Sequence, residues 1–154
     1  MENQLGPKKS LIPQLEDLLD LYLVQKAPFQ LPAGVKQFIV NVGPWITLVL
    51  MILVIPIILA AIGLSAFLLP AAAITNAGFG LSAMLSLIIA IVELGLYALA
   101  LPGLFKKSKT GWNFLFYGTL VSAIYSLVSL DILSLIIGTL ISLYILFQIR
   151  SYYK

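Results

Sequence analysis

Glu93 is the residue whose chemistry needs explaining. It stands near the middle of Leu81–Phe105, LSAMLSLIIAIVELGLYALALPGLF, a stretch with no other charge. A charged side chain at the centre of a membrane-spanning helix costs a few kcal/mol even on lenient insertion scales, so an acid there has either a task or a partner. Helical spacing puts Ser82, Ser86 and Tyr97 on the face that carries Glu93. A second polar stripe, Thr119, Ser122, Ser126 and Ser129, follows about thirty residues later. A third, Ser134, Gly138 and Ser142, has small residues at four-residue intervals, the pattern that lets helix backbones approach closely. The three stripes are expected to converge on a polar seam. Glu93, Ser86, Tyr97, Ser122 and Ser126 form its candidate intramembrane site, and Ser134, Gly138 and Ser142 its packing surface.

Two chemistries suit Glu93. As a proton or cation site it would serve a transport path. As a hydrogen-bonding group it would fix how the helices pack. A relay needs several ionisable groups, and no second one is buried in the predicted spans, which favours packing.

Other chemistry is excluded by composition. The chain has no cysteine and no histidine, so thiolate nucleophiles, disulfides, cysteine-ligated zinc and histidine acid–base catalysis are absent. No pair of aspartates, serine–base arrangement or zinc motif for intramembrane hydrolysis is visible. No catalytic residue, metal site or cofactor is expected, and the chain is not read as an enzyme. The net charge of +3 comes from residues at the ends and in one loop, with no nucleic-acid-binding motif.

These stripes need rods to hold them. Of 154 residues, 61% are hydrophobic and 10% charged, and the mean hydropathy is +1.08. Soluble domains carry about 25% charged residues, so lipid is the expected solvent. The expected fold class is all-α: an integral membrane four-helix bundle preceded by an amphipathic interfacial helix. Spans are predicted at about 44–69, 81–105, 112–129 and 132–149. Pro44 suits the first turn of the first span, and Pro56 should kink it. Pro70–Gly80 reads as an uncharged outer loop. Leu130-Asp131 reads as a tight hairpin in which Asp131 caps the fourth span.

Residues 1–43 form a separate N-terminal segment. Residues 1–9 are expected to be loosely ordered, with no cleaved signal. Residues 10–26 are predicted to form a helix with Leu11, Leu15, Leu18, Leu19 and Tyr22 on one face and Glu16, Asp17 and Asp20 on the other. It should dock on the membrane domain or hold a partner protein. Pro28, Pro32, Gly34 and Gly43 mark residues 27–43 as a connector.

Four crossings put both termini on one side. Every Lys and Arg of the chain then falls on that side, which assigns it to the cytoplasm, in a cytoplasmic or inner membrane. Trp45, Trp112, Tyr152 and Tyr153 lie at the same boundary, where aromatic rings anchor. The reading is a non-enzymatic membrane protein acting through helix packing, as an interaction, assembly or accessory protein. Its partners would be the bilayer, a membrane or cytoplasmic protein and further copies of itself. The alternative is a small homo-oligomeric transporter or channel for a proton-coupled or cationic solute, working through Glu93.

Overall fold

The computed structural model describes residues 10–75 and 77–154. The expectations for residues 1–9 and for the position of Lys8 and Lys9 fall outside them. Among the described residues all regular structure is helical. Helix α1 spans Leu11–Asp20 and continues into a wider π turn, Leu21–Gln25. Helix α2 spans Ala33–Thr75, α3 Ala77–Phe105 and α4 Lys109–Val128. A π segment, Ser134–Thr139, leads into α5, Leu140–Gln148, and a short 3₁₀ turn, Arg150–Tyr152, follows. Three helices are long and apolar enough to cross a bilayer: Ala33–Leu68, Gly80–Phe105 and Lys109–Val128. Ser134–Gln148 is apolar but shorter.

The connector at 27–43 is only half connector. Helix begins at Ala33, so Gly34 and Gly43 sit inside α2, and Pro44 is an interior residue and not a first-turn one. Pro44, Pro56 and Pro70 are all absorbed into this 43-residue helix. A proline interrupts one backbone hydrogen bond, and a long apolar helix holds its remaining ones tightly enough to carry the gap. The Pro70–Gly80 loop shrinks likewise: α2 ends at Thr75 and α3 begins at Ala77. The alanines of this stretch are strong helix formers, and that propensity outweighs the loop signal of Thr75-Asn76 and the two glycines.

Two turns place a non-glycine residue in left-handed conformation. Lys107 has φ 52° between α3 and α4, and Leu130 has φ 55° after α4. At the second turn the Ser134 N–H donates to Asp131 Oδ1 at 3.1 Å, so Asp131 starts the last helical segment as expected. Hydrogen bonds from the Ser134 hydroxyl and N–H hold the Asp131 carboxyl below the ordinary carboxylate range.

Helix α3 packs along both α2 and α4. The tight core lies at one end of this assembly. Trp112 and Phe116 of α4, Ala100 and Leu104 of α3, Val40 of α2, and Leu143, Leu146 and Phe147 of α5 form it, with Leu19, Leu23 and Val24 against its side. Trp112 is fully buried; its indole N–H donates to the Leu146 carbonyl at 2.9 Å and its ring stacks on Phe116. Trp112 is therefore a core residue, whereas Trp45, set edge-on to Phe105, remains exposed. The chain's last residue joins the same end: Lys109 N–H donates to the Lys154 carbonyl at 2.9 Å, and Lys154 N–H to the Lys107 carbonyl at 3.1 Å.

Candidate functional site: the α3–α4 seam

Four contacts zip α3 to α4 in antiparallel order. Nearest the turn, Gly103 faces Gly111 so closely that a Cβ on either would stand 2.5 Å from the other helix's backbone. Real Cβ atoms do not approach so near, so these two glycines are what allow the crossing. One step along, the Tyr97 ring lies over Gly118, whose added Cβ would stand 2.8 Å from Cε1. Next, the Ser122 hydroxyl donates to Glu93 Oε1. Furthest from the turn, Ser86 and Tyr125 share a hydrogen bond. Because Ser86 Oγ gives its proton to the Ser82 carbonyl at 2.9 Å, the Tyr125 hydroxyl is the donor to Ser86.

The predicted face of α3 is thus the face that meets α4. Glu93, Ser86 and Tyr97 all point into the seam, where Ser122 meets Glu93. Ser126 lies one turn on, in a cleft of about 260 Å³ that it shares with Tyr97, Thr119, Ser122, Ser134, Gly138, Thr139 and Ser142. The second and third stripes therefore come together. At Gly138, however, an added Cβ would meet nothing within 4 Å, so the helices there leave a hydroxyl-lined cleft where close backbone contact was expected. The π segment contributes Ser134, Gly138 and Thr139 to its wall.

A second cleft, of about 400 Å³, opens on the other side of the seam. Thr47, Leu50, Met51, Val54 and Ile58 of α2 face Ala90, Glu93, Leu94 and Tyr97 of α3, with Leu115 of α4 closing it. Its lining is apolar except for Thr47, Glu93 and Tyr97, and the Thr47 hydroxyl is occupied with the Gly43 carbonyl at 2.9 Å. Tyr97 lines both clefts, and the Ser122–Glu93 hydrogen bond joins a wall of the hydroxyl-lined cleft to a wall of the apolar one.

Sequence reasoning did not single out Tyr125, Gly103, Gly111 or Gly118. Tyr125 lies on the Ser122 face by spacing and could have been found. The glycines could not, because each is defined by what crosses it from another helix. Among the described residues no group of three or more His, Cys, Asp or Glu could hold a metal ion.

At the packed end, α1 docks through Leu19 and through two of its acids. Arg150 reaches Glu16 Oε2 at 2.7 Å and Asp20 Oδ1 at 3.7 Å, while its guanidinium lies over the Trp112 ring. The Gln148 amide donates to the Leu23 carbonyl at 2.9 Å, and the Tyr144 hydroxyl to the Phe29 carbonyl. Leu11, Ile12, Leu15, Leu18 and Tyr22 point away from the body, Leu11 with 83% of its surface exposed.

No protein family, curated protein or solved structure matches this chain.

Proposed function

We propose that the chain is a non-enzymatic integral membrane protein that acts through helix packing, as an interaction, assembly or accessory component of a cytoplasmic or inner membrane. In this reading α2, α3, α4 and the Ser134–Gln148 segment cross the bilayer as a four-helix bundle, and both termini lie on the cytoplasmic side. The meeting of residue 154 with the α3–α4 turn supports this threading, since that turn carries Lys106, Lys107 and Lys109. Helix α1 lies along the surface as an amphipathic interfacial helix. Its Glu16 and Asp20 are taken up by Arg150, which leaves Leu11, Leu15 and Leu18 to face lipid head groups or a partner protein.

The observation that carries the packing role is the Ser122–Glu93 hydrogen bond. The acid's oxygen is engaged across the α3–α4 seam, and the cleft beside it is apolar. A membrane helix pair gains from such a bond, by about 0.6 kcal/mol on average and up to about 2. Glu93→Gln keeps an acceptor for Ser122 and should melt in detergent like the parent. Glu93→Ala should melt lower. Equal melting of all three proteins would overturn the packing role.

A second reading has one observation in its favour. Tyr97 and the Ser122–Glu93 pair stand between two clefts, the position a gate would occupy in a small homo-oligomeric transporter for protons or cations. Proteoliposomes discriminate. Cation or proton flux that depends on pH and disappears in Glu93→Gln supports transport; no flux above that of empty liposomes supports packing.

A further inference from the structure

The packed end carries a cleft that the seam does not use. It holds about 370 Å³ between the first turns of α2, the start of α4 and the C-terminal segment, with Lys36, Lys109, Gln148, Arg150 and Tyr153 among its walls. A neighbouring cleft of about 440 Å³ shares Lys36 and Ser151 with it and reaches Ala33, the first residue of α2. The leading N–H groups of a helix have no carbonyl before them and favour an anion. Three features say what the cleft lacks. Among the described residues Lys36 and Lys109 make no ion pair, whereas Asp20, the acid in the wall, faces Arg150. The unbalanced charge is therefore positive. Gln148 is 2% exposed, and since its nitrogen donates to the Leu23 carbonyl, its Oε1 is the free end. That oxygen has no hydrogen-bond partner among the described residues. A buried acceptor left unpaired costs free energy that a donor would recover.

We propose that this cleft binds the head of an anionic glycerophospholipid, with Lys36 and Lys109 meeting the phosphate and Gln148 accepting from a head-group hydroxyl. The chemistry follows from the deficits: a negative charge for two unpaired lysines and an O–H for one unpaired acceptor. An ammonium head would add to a positive cleft whose acid is already engaged. Basic pockets between helices at the cytoplasmic face are suited to such heads. The proposal rests on the membrane placement above.

The test uses the full chain in nanodiscs of phosphatidylcholine doped with phosphatidylglycerol, and measures the lipids retained on extraction. The parent should retain phosphatidylglycerol on the order of tenfold over its share of the bilayer, and Lys36→Gln with Lys109→Gln should reduce this to parity. Lys26→Gln with Lys106→Gln removes equal charge elsewhere and should keep the preference. Equal loss in both double variants would mean diffuse surface charge and would overturn the site. Phosphatidylmethanol has the same charge and no hydroxyl, so its equal retention would overturn the part given to Gln148. Displacement of the lipid by millimolar glycerol 3-phosphate would overturn the lipid as occupant and leave a free phosphate ester. The threading is checked separately, by reporter tags inserted within Pro70–Gly80 and after Lys154. Tags on the same face would overturn the membrane placement whatever the lipid result.

Discussion

The two turns that bound α4 are built on opposite plans. At Lys106–Ser108, α3 and α4 touch backbone to backbone through Gly103 and Gly111, and Trp112, Phe116 and Phe147 fill the space beside them. At Leu130-Asp131 the chain turns with hardly any cover: Val128 is 70% exposed, Leu130 80% and Leu133 69%. In water a contiguous apolar surface of that kind would drive association. In lipid it carries no penalty, because acyl chains are as apolar as leucine. One end is thus held by protein contacts and the other is left for its surroundings to hold. This explains why aromatic stacking, the ion pair of α1 and the C-terminal backbone bonds all gather at the first turn.

The sharpest way to break this contrast is to truncate one large apolar residue at each end. Trp112→Ala removes a fully buried ring and leaves the Leu146 carbonyl without its donor, so it should cost about 3–5 kcal/mol in a denaturation experiment in mixed micelles. Leu133→Ala should stay within about 0.5 kcal/mol. Comparable losses at both ends would mean that the distal turn is covered by something other than lipid.

Glycines give the next largest difference. Gly111→Ala drives a methyl group into the α3 backbone and should destabilise by about 1–3 kcal/mol, seen as a lower melting temperature. Gly138→Ala enters open space and should be neutral or stabilising by up to about 1 kcal/mol, the helix propensity gained over glycine. A destabilising Gly138→Ala would show that the hydroxyl-lined cleft closes in the bilayer.

A smaller effect separates the turns by pH. Asp131 has its carboxyl held below the ordinary value of 3.8 by Ser134. Its contribution to the hairpin is present above that value and is lost as pH falls through the lower, folded one. Asp131→Asn should therefore flatten the acid limb of a melting-temperature profile, and an unchanged limb in that variant would mean that the Ser134 hydrogen bonds do not hold the hairpin. The smallest expected change is at Leu130, where a left-handed φ of 55° suits glycine better than leucine. Leu130→Gly should shift stability by no more than about 1 kcal/mol, towards the native state, because strain relief is offset by the greater freedom of glycine when unfolded.

Much of the seam could be read without coordinates. Glu93, Ser86 and Tyr97 share a helical face by spacing alone, and an acid among leucines demands a polar neighbour whatever the fold. Which neighbour it takes could not be read. Ser122 was one of four hydroxyls on its stripe, and the choice depends on the axial register of α3 against α4, set by the Gly103–Gly111 crossing at the turn. Helix α1 shows the same limit at the level of its contacts. Which of its residues would meet the body could not be read: Leu19 lies against the core and Glu16 and Asp20 meet Arg150, which arrives from the far end of the chain. Propensity also fell short at the element ends. Gly34 and Gly43 suggested a connector and Pro44 and Pro70 the ends of a span, yet one 43-residue apolar helix runs through all four.

What the chain determines by itself is the class of solvent it needs, the helical period of its polar stripes, the Asp131 turn and the chemistry its composition forbids. These follow from local spacing and from residue types, which need no partner to be defined. The tertiary structure decided which hydroxyl Glu93 holds, that Trp112 is core and not anchor, that Gly138 lines a cleft, and that two lysines and a glutamine share one pocket. Each of those depends on the register and order in which distant helices meet, and a contact between helices is a property of two surfaces at once.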